Sequence, residues 1–144
     1  MLREEPQIGI PGVILPRGMA VVIDQNRTDL QAYTAALRKM GFEVTPFTSY
    51  QEALLRLEQV TPDFVFVDQG TVAFEARGFV ANVLARNRYT PVVVLARSLH
   101  MGCYLEAMQL GAVDYVEKPL ASAELEHLVT THWQPRMAAL RSTA

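Results

Sequence analysis

The sequence has one cysteine, at position 103, among its 144 residues. A single cysteine can form no disulfide within the chain, and it offers no thiolate cluster for a structural zinc site. The three histidines, at positions 100, 127 and 132, lack the spacing of metal ligands. A hydrophobic core must therefore stabilise the chain, and a length of 144 residues, half of them hydrophobic, suits one domain with such a core.

Long apolar runs and an excess of one charge are also missing. No hydrophobic stretch approaches the ~20 residues that a membrane-spanning helix needs, and a net charge of -2 provides no basic surface for nucleic acid or an anionic membrane. The apolar part of residues 1–18 is broken by prolines, which makes a poor signal peptide. We expect a cytoplasmic domain that contacts neither membrane nor nucleic acid.

Glycine-rich phosphate-binding loops are the third absence, because no strand-to-helix turn carries the glycines of a dinucleotide-binding or P-loop protein. Prolines and glycines concentrate instead in residues 1–18, which predicts an extended N-terminal arm. Residues 19–131 form the predicted domain, and residues 132–144 form a C-terminal tail or the start of a linker.

Apolar runs and amphipathic segments alternate along the predicted domain. Strands are predicted at 19–24, 42–47, 64–68, 91–96 and 114–119, each followed by a helical pattern. Gly41 is the expected stop of the first helix, Ser49 the cap of the second and Ser122 the cap of the last, and the fourth helix is predicted from Tyr104. The alternation predicts a five-stranded parallel sheet covered by helices on both faces, in the doubly wound, flavodoxin-like order 2-1-3-4-5.

Two acidic residues stand where the order of such a sheet reverses. Asp24 ends the first predicted strand and Asp68 the third, so both carboxylates are expected at the crevice beyond the carboxyl ends of the strands. Lys118, at the end of the fifth strand, is expected to point into the same crevice. Paired carboxylates beside a lysine suit Mg²⁺ bound together with a phosphoryl group, and the alternative is an ion-pair cluster without chemistry.

The motifs "VVID", "DFVFVD", "TPVVVLA" and "GAVDYVEKPL" give residues 19–131 a family resemblance. The chain resembles the receiver domains of two-component response regulators. By that resemblance Asp68 is the phosphoacceptor, Lys118 the phosphoryl-binding lysine and Tyr115 the aromatic residue of the conformational switch. The Lys118–Pro119 peptide is expected to be cis.

The resemblance also implies partners and a cofactor. A sensor histidine kinase or a phosphotransfer protein would donate the phosphoryl group, and an output domain or partner protein would respond. Asp24, Asp68 and the main chain of Gly70 would hold Mg²⁺. The last helix–strand–helix face, residues 104–128, is the expected surface for partners or a homodimer.

Three positions depart from the family pattern. Receivers usually carry two adjacent acids after the first strand, whereas Asp24 is followed here by Gln25, so Gln25 or Asn26 must offer an amide oxygen instead. Ala96 stands where the family has a serine or threonine, and "GTVAF" (70–74) replaces the usual Met-Pro. We therefore expect an atypical receiver with weak Mg²⁺ binding. Arg97 is interpreted as an exposed loop residue.

Two other functions remain open. The first is a pseudo-receiver, a protein-interaction module that acts independently of phosphorylation, which Gln25 and Ala96 favour. The second is a haloacid-dehalogenase-type phosphatase, because "VVIDQNRT" approaches an Asp-x-Asp-x-Thr motif. Asn26 replaces the second aspartate of that motif, so we expect a phosphoacceptor domain rather than an enzyme.

Overall fold

A computed structural model describes residues 17–133 of the chain. Almost all of the predicted arm (1–18) and tail (132–144) lies outside these residues, so the division of the chain into three parts stays a prediction. The described residues form β1 (Gly18–Ile23), α1 (Arg27–Lys39), β2 (Phe42–Phe47), α2 (Tyr50–Leu57), β3 (Phe64–Asp68), α3 (Arg77–Arg86), β4 (Val92–Ala96), α4 (Met101–Leu110), β5 (Asp114–Glu117) and α5 (Ser122–His132).

The five strands make one parallel sheet in the order β2-β1-β3-β4-β5. This confirms the predicted fold class and strand order. Connections leave β1 in one direction and β3 in the other, so a crevice opens between the carboxyl ends of these two central strands. The fold thereby places the residues that follow β1 and β3 side by side.

The sheet has a hydrophobic core on each face because successive side chains of a strand point to opposite sides. In β3, Val65 and Val67 pack with α2, α3 and α4, whereas Phe64 and Phe66 pack with α1 and α5. All five residues of β3 and of β4 are buried. Burial on both faces explains why these strands appear in the sequence as unbroken apolar runs.

The ends of the elements follow the local capping chemistry. Gly41 lies just after α1 with φ 100°, and the Ser49 hydroxyl accepts the Glu52 N–H at 3.3 Å, so both predicted signals are confirmed. The predicted cap at Ser122 is wrong. The cap position is Ala121, whose N–H donates to Glu124 Oε1 at 2.8 Å, and Ser122 is the first residue of α5.

Helix α4 begins at Met101, three residues before the predicted start at Tyr104. The His100 ring accepts the Cys103 N–H at 3.4 Å and caps the additional turn, which contains the weak helix former Gly102. Strand β5 ends at Glu117 rather than 119, so Lys118 and Pro119 follow the strand, and the peptide between them is cis as expected. Across residues 17–133, no helix has both the length and the apolar character needed to cross a membrane.

Candidate functional site

The crevice at the carboxyl ends of the strands brings the predicted charged residues together. Asp24 directly follows β1, Asp68 is the last residue of β3, and Lys118 directly follows β5. The Lys118 Nζ atom lies 2.8 Å from Asp24 Oδ2 and 2.9 Å from Asp68 Oδ1. One ammonium group therefore bridges two carboxylates that are 44 positions apart in the sequence.

These ion pairs lie almost completely out of the solvent. The side chains of Lys118, Asp24 and Asp68 are 3%, 1% and 12% exposed. Burial raises the pKa of Asp24 above its ordinary value, and the hydrogen bond from Lys118 offsets only part of this. Burial by itself lowers the pKa of Lys118, but its hydrogen bonds to the two carboxylates outweigh burial and raise that pKa. The cluster is stable only as a whole, because removal of one partner leaves a buried charge uncompensated.

The other oxygens of the two aspartates are held by main-chain groups and by one tyrosine. Asp24 Oδ1 accepts the Asn26 N–H at 2.9 Å, and Asp68 Oδ2 accepts the Gly70 N–H at 3.2 Å. The Tyr50 hydroxyl donates to the main-chain carbonyl of Asp68 at 2.7 Å, and burial raises the pKa of Tyr50 well above its ordinary value. Sequence analysis did not predict this contact of Tyr50.

Asp29 is a third carboxylate in the site, and sequence analysis missed it. Its Oδ2 atom lies 3.3 Å from Lys118 Nζ and 2.7 Å from a guanidinium nitrogen of Arg97. An acidic residue in the first turn of a helix has a sufficient structural reason in the helix dipole, so its presence in α1 gave no functional signal. Arg97 is 60% exposed, as expected of a loop arginine, but it is paired. We call Asp24, Asp29, Asp68 and Lys118 the carboxylate cluster.

The donor atoms of this cluster suit a magnesium ion by type. Asp24 and Asp68 present hard oxygens close together, which Mg²⁺ prefers. Asn26 Oδ1 accepts the Asp29 N–H at 2.9 Å as the cap of α1, whereas the Gln25 side chain is exposed and could offer its amide oxygen. Within residues 17–133, no three acidic, histidine or cysteine side chains are arranged to hold a metal. The site could therefore hold Mg²⁺ with two charged ligands, the carboxylates of Asp24 and Asp68.

The loop after Asp68 is closed by its own side chains. Glu75 Oε1 accepts the Thr71 N–H at 2.6 Å, and the Thr71 hydroxyl also contacts this carboxylate. Gly70 has φ 89°, and a Cβ atom at this position would collide with the Glu75 side chain. A side chain would therefore be strained at the position whose main chain is the predicted metal ligand, which favours glycine there.

A second, neutral cluster lies next to the carboxylate cluster. The Tyr115 hydroxyl donates to Gln69 Oε1 and accepts the His100 main-chain N–H at 3.1 Å. Gln69 is 2% exposed, and its amide nitrogen donates to the Thr71 carbonyl at 3.2 Å. Burial raises the pKa of Tyr115 above its ordinary value. We call Gln69, Tyr115 and His100 the tyrosine cluster; Gln69 gave no signal in the sequence.

Tyr115, the predicted switch residue, therefore points inward, and its ring lies 5.9 Å from that of Tyr104. Ala96, the other predicted switch position, is fully buried and offers no hydroxyl. The surface around α4 is apolar. Its exposed hydrophobic residues are Leu99, Met101, Tyr104, Leu105, Met108 and Val113.

Comparisons with known proteins identify the family of the chain. Residues 20–130 match the model of a family described as the response regulator receiver domain. The DNA-binding transcriptional regulator NtrC of Klebsiella pneumoniae is 27% identical over an alignment of 135 residues that covers 89% of this chain and 29% of that protein. The transcriptional regulatory protein PrrA of Mycobacterium leprae is 29% identical over 133 residues, which are 92% of this chain and 56% of that protein. The chain thus spans about half or less of the length of these relatives.

A solved structure shares the fold at lower identity. It is a response regulator protein from Burkholderia pseudomallei, described as having a phosphorylated aspartic acid, a calcium ion and citrate. Its TM-score is 0.69 at 18% identity, and the match covers 87% of this chain and 71% of that one.

Proposed function

The chain belongs to the response regulator receiver domain family of two-component signalling, and from this membership we propose that it accepts a phosphoryl group on Asp68. A sensor histidine kinase or a phosphotransfer protein would be the donor, and the chain would act in the cytoplasm. The observation that carries the proposal is the position of Asp68 at the carboxyl end of β3, with Lys118 Nζ 2.9 Å from its Oδ1. A carboxylate held beside a buried ammonium group is suited to receive a transferring phosphoryl group.

In the transfer, a carboxylate oxygen of Asp68 attacks the phosphorus atom of a phosphohistidine. An O–P bond forms, the P–N bond breaks, and the electron pair returns to the imidazole of the donor. Lys118 compensates negative charge on the phosphoryl oxygens, and the Gly70 N–H fixes the orientation of the carboxylate through Oδ2. Bound Mg²⁺, held by Asp24, Asp68, the Gly70 main chain and Gln25, would neutralise further phosphoryl charge.

Two observations support this proposal. The Burkholderia pseudomallei structure with the same fold is described as having a phosphorylated aspartic acid, and the relatives are transcriptional regulators of which the chain spans only a part. The response would therefore pass to an output domain or a partner protein. The apolar surface of α4 supports residues 104–128 as the partner or homodimer face.

The replacement Asp68→Asn tests the acceptor. We expect it to abolish labelling by acetyl phosphate with Mg²⁺, measured by intact mass. Asp63→Asn is the matched control, because Asp63 accepts the Met19 N–H at the amino ends of β1 and β3, away from the site. This variant should be labelled like the wild type. Label that persists in Asp68→Asn would overturn the assignment.

We also propose that the receiver is atypical. An amide at Gln25 replaces a metal ligand but not its charge, and Ala96 cannot donate a hydrogen bond to the phosphoryl group. Such a bond to a charged acceptor is worth about 1.5–3 kcal/mol. Gln25→Asp combined with Ala96→Thr should therefore raise Mg²⁺ affinity and should raise the labelling rate by about tenfold or more. If acetyl phosphate already labels the wild type as fast as this variant, the protein is an ordinary receiver and the proposed atypical character is wrong.

The tyrosine cluster favours a second candidate function, a pseudo-receiver whose interaction face is formed without phosphorylation. Tyr115 is already held inward by Gln69 and His100, neither of which carries a charge that depends on Asp68. If this function is correct, Asp68→Asn will bind the partner of the wild type with unchanged affinity. The phosphatase alternative has less support because Asn26, in place of the second aspartate, caps α1. A colorimetric phosphatase screen should be negative.

A further inference from the structure

Arg97 is a charged residue at the rim of the site that the proposed phosphotransfer does not use. It follows Ala96, the last residue of β4, and its guanidinium reaches Asp29 Oδ2 at 2.7 Å. The same oxygen lies 3.3 Å from Lys118 Nζ. Because both cations contact one oxygen atom, the guanidinium lies close to the ammonium group that bridges Asp24 and Asp68.

The Lys118 ammonium group is already surrounded by carboxylates. An ammonium group has three donors, and those of Lys118 face Asp24 at 2.8 Å, Asp68 at 2.9 Å and Asp29 at 3.3 Å. A phosphoryl group on Asp68 adds three acceptor oxygens to this cluster. The Lys118 donor that faces Asp68 can bind one of these oxygens, while the other two donors stay with Asp24 and Asp29. The phosphorylated site therefore presents further oxygens to a second donor.

Arg97 has donors to spare. A guanidinium carries five N–H groups, of which one nitrogen contacts Asp29, and the side chain is 60% exposed. Exposed ion pairs are weak and are exchanged readily. The planar fork of arginine matches two phosphoryl oxygens at once, which a lysine cannot do.

We propose that Arg97 is a second phosphoryl-binding residue, whose guanidinium moves from Asp29 to the phosphoryl oxygens when Asp68 is phosphorylated. It occupies the side of the site where Ala96 offers no hydroxyl. This inference rests on the proposed phosphotransfer to Asp68. Asp29 holds the guanidinium in place before transfer and retains Lys118 as its partner afterwards.

Beryllofluoride, a stable mimic of the phosphoryl group on an aspartate, is the probe that tests this role. Its affinity with Mg²⁺ is measured by ¹⁹F NMR for the wild type, Arg97→Gln, Arg97→Lys and Arg88→Gln. The last is the matched control, because Arg88 contacts Tyr89 and takes no part in the carboxylate cluster. We expect Arg97→Gln to weaken binding about tenfold, Arg97→Lys to restore part of the loss, and Arg88→Gln to bind like the wild type. The Arg97 side-chain ¹⁵N resonance should shift on binding.

Equal affinity of the wild type and Arg97→Gln, with binding abolished in Asp68→Asn, would overturn the role of Arg97 and leave the phosphotransfer intact. An unshifted Arg97 resonance in a saturated wild type would have the same consequence. A wild type that neither binds beryllofluoride nor is labelled by acetyl phosphate would overturn the proposed function, and the role of Arg97 with it.

Discussion

The carboxylate cluster and the tyrosine cluster meet at the peptide bond between Asp68 and Gln69, yet they are held together differently. In the first, Lys118 faces three carboxylates in a largely buried site. In the second, uncharged groups of Gln69, Tyr115 and His100 satisfy one another. A buried charge network responds strongly to one added charge, whereas neutral hydrogen bonds respond only if the chain that carries them moves.

Under the proposed function, this difference would separate two parts of a switch. Phosphorylation of Asp68 would act directly on the balance of charge around Lys118. It would reach Tyr115 only through movement of residues 69–71, which the Thr71–Glu75 contacts hold in place. We therefore expect the two clusters to be separable by mutation.

The largest effect is expected from the loss of the central cation. Lys118→Met leaves Asp24 and Asp68 without a compensating charge, whereas Asp29 keeps its pair with Arg97. The loss of one partner of a buried ion pair costs about 3–5 kcal/mol of unfolding free energy. Urea unfolding at pH 7 measures this change. Lys39→Met is the control, because Lys39 is exposed at the end of α1. A loss below about 1 kcal/mol would show that the cluster does not depend on charge pairing.

A smaller effect is expected in the neutral cluster. Tyr115→Phe leaves the buried Gln69 oxygen and the His100 N–H without their partner, at a cost of about 1–3 kcal/mol. A double-mutant cycle with Gln69→Leu, measured by urea unfolding, should give a coupling energy of about 0.5–1.5 kcal/mol. Tyr104→Phe, which changes an exposed tyrosine, serves as the control. Additive losses would contradict the link between the two residues.

The smallest expected effect is a change in the pH dependence of stability. The pKa of Tyr115 is raised by burial, and that of Lys118 is raised by its carboxylate hydrogen bonds in spite of burial. Both groups keep their protons to higher pH in the folded protein than in the unfolded chain, so stability is lost as the pH rises above about 10. Tyr115→Phe should make this loss less steep above about pH 10. An unchanged slope would show that Tyr115 titrates as an exposed tyrosine does.

Much of the fold and part of the site could be predicted because their signals are local. The unbroken apolar run of β3 predicts a strand that is buried on both faces of the sheet. Asp68 at its end predicts a functional group at the carboxyl ends of the strands. The helix starts at Met101 and Ser122 were missed because they depend on single caps. The His100 ring caps the start of α4, and the Glu124 side chain accepts the Ala121 N–H at the start of α5.

The sequence by itself determined the alternation of strands and helices, the sheet order, and the meeting of Asp24, Asp68 and Lys118, because periodicity and the geometry of parallel strands dictate them. Only the tertiary structure decided that Asp29 joins Lys118 and Arg97, and that Gln69 holds Tyr115. These partners are 89, 68 and 46 positions apart. Such pairs leave no periodic trace, since they depend on where a first helical turn and two loops come together above the sheet.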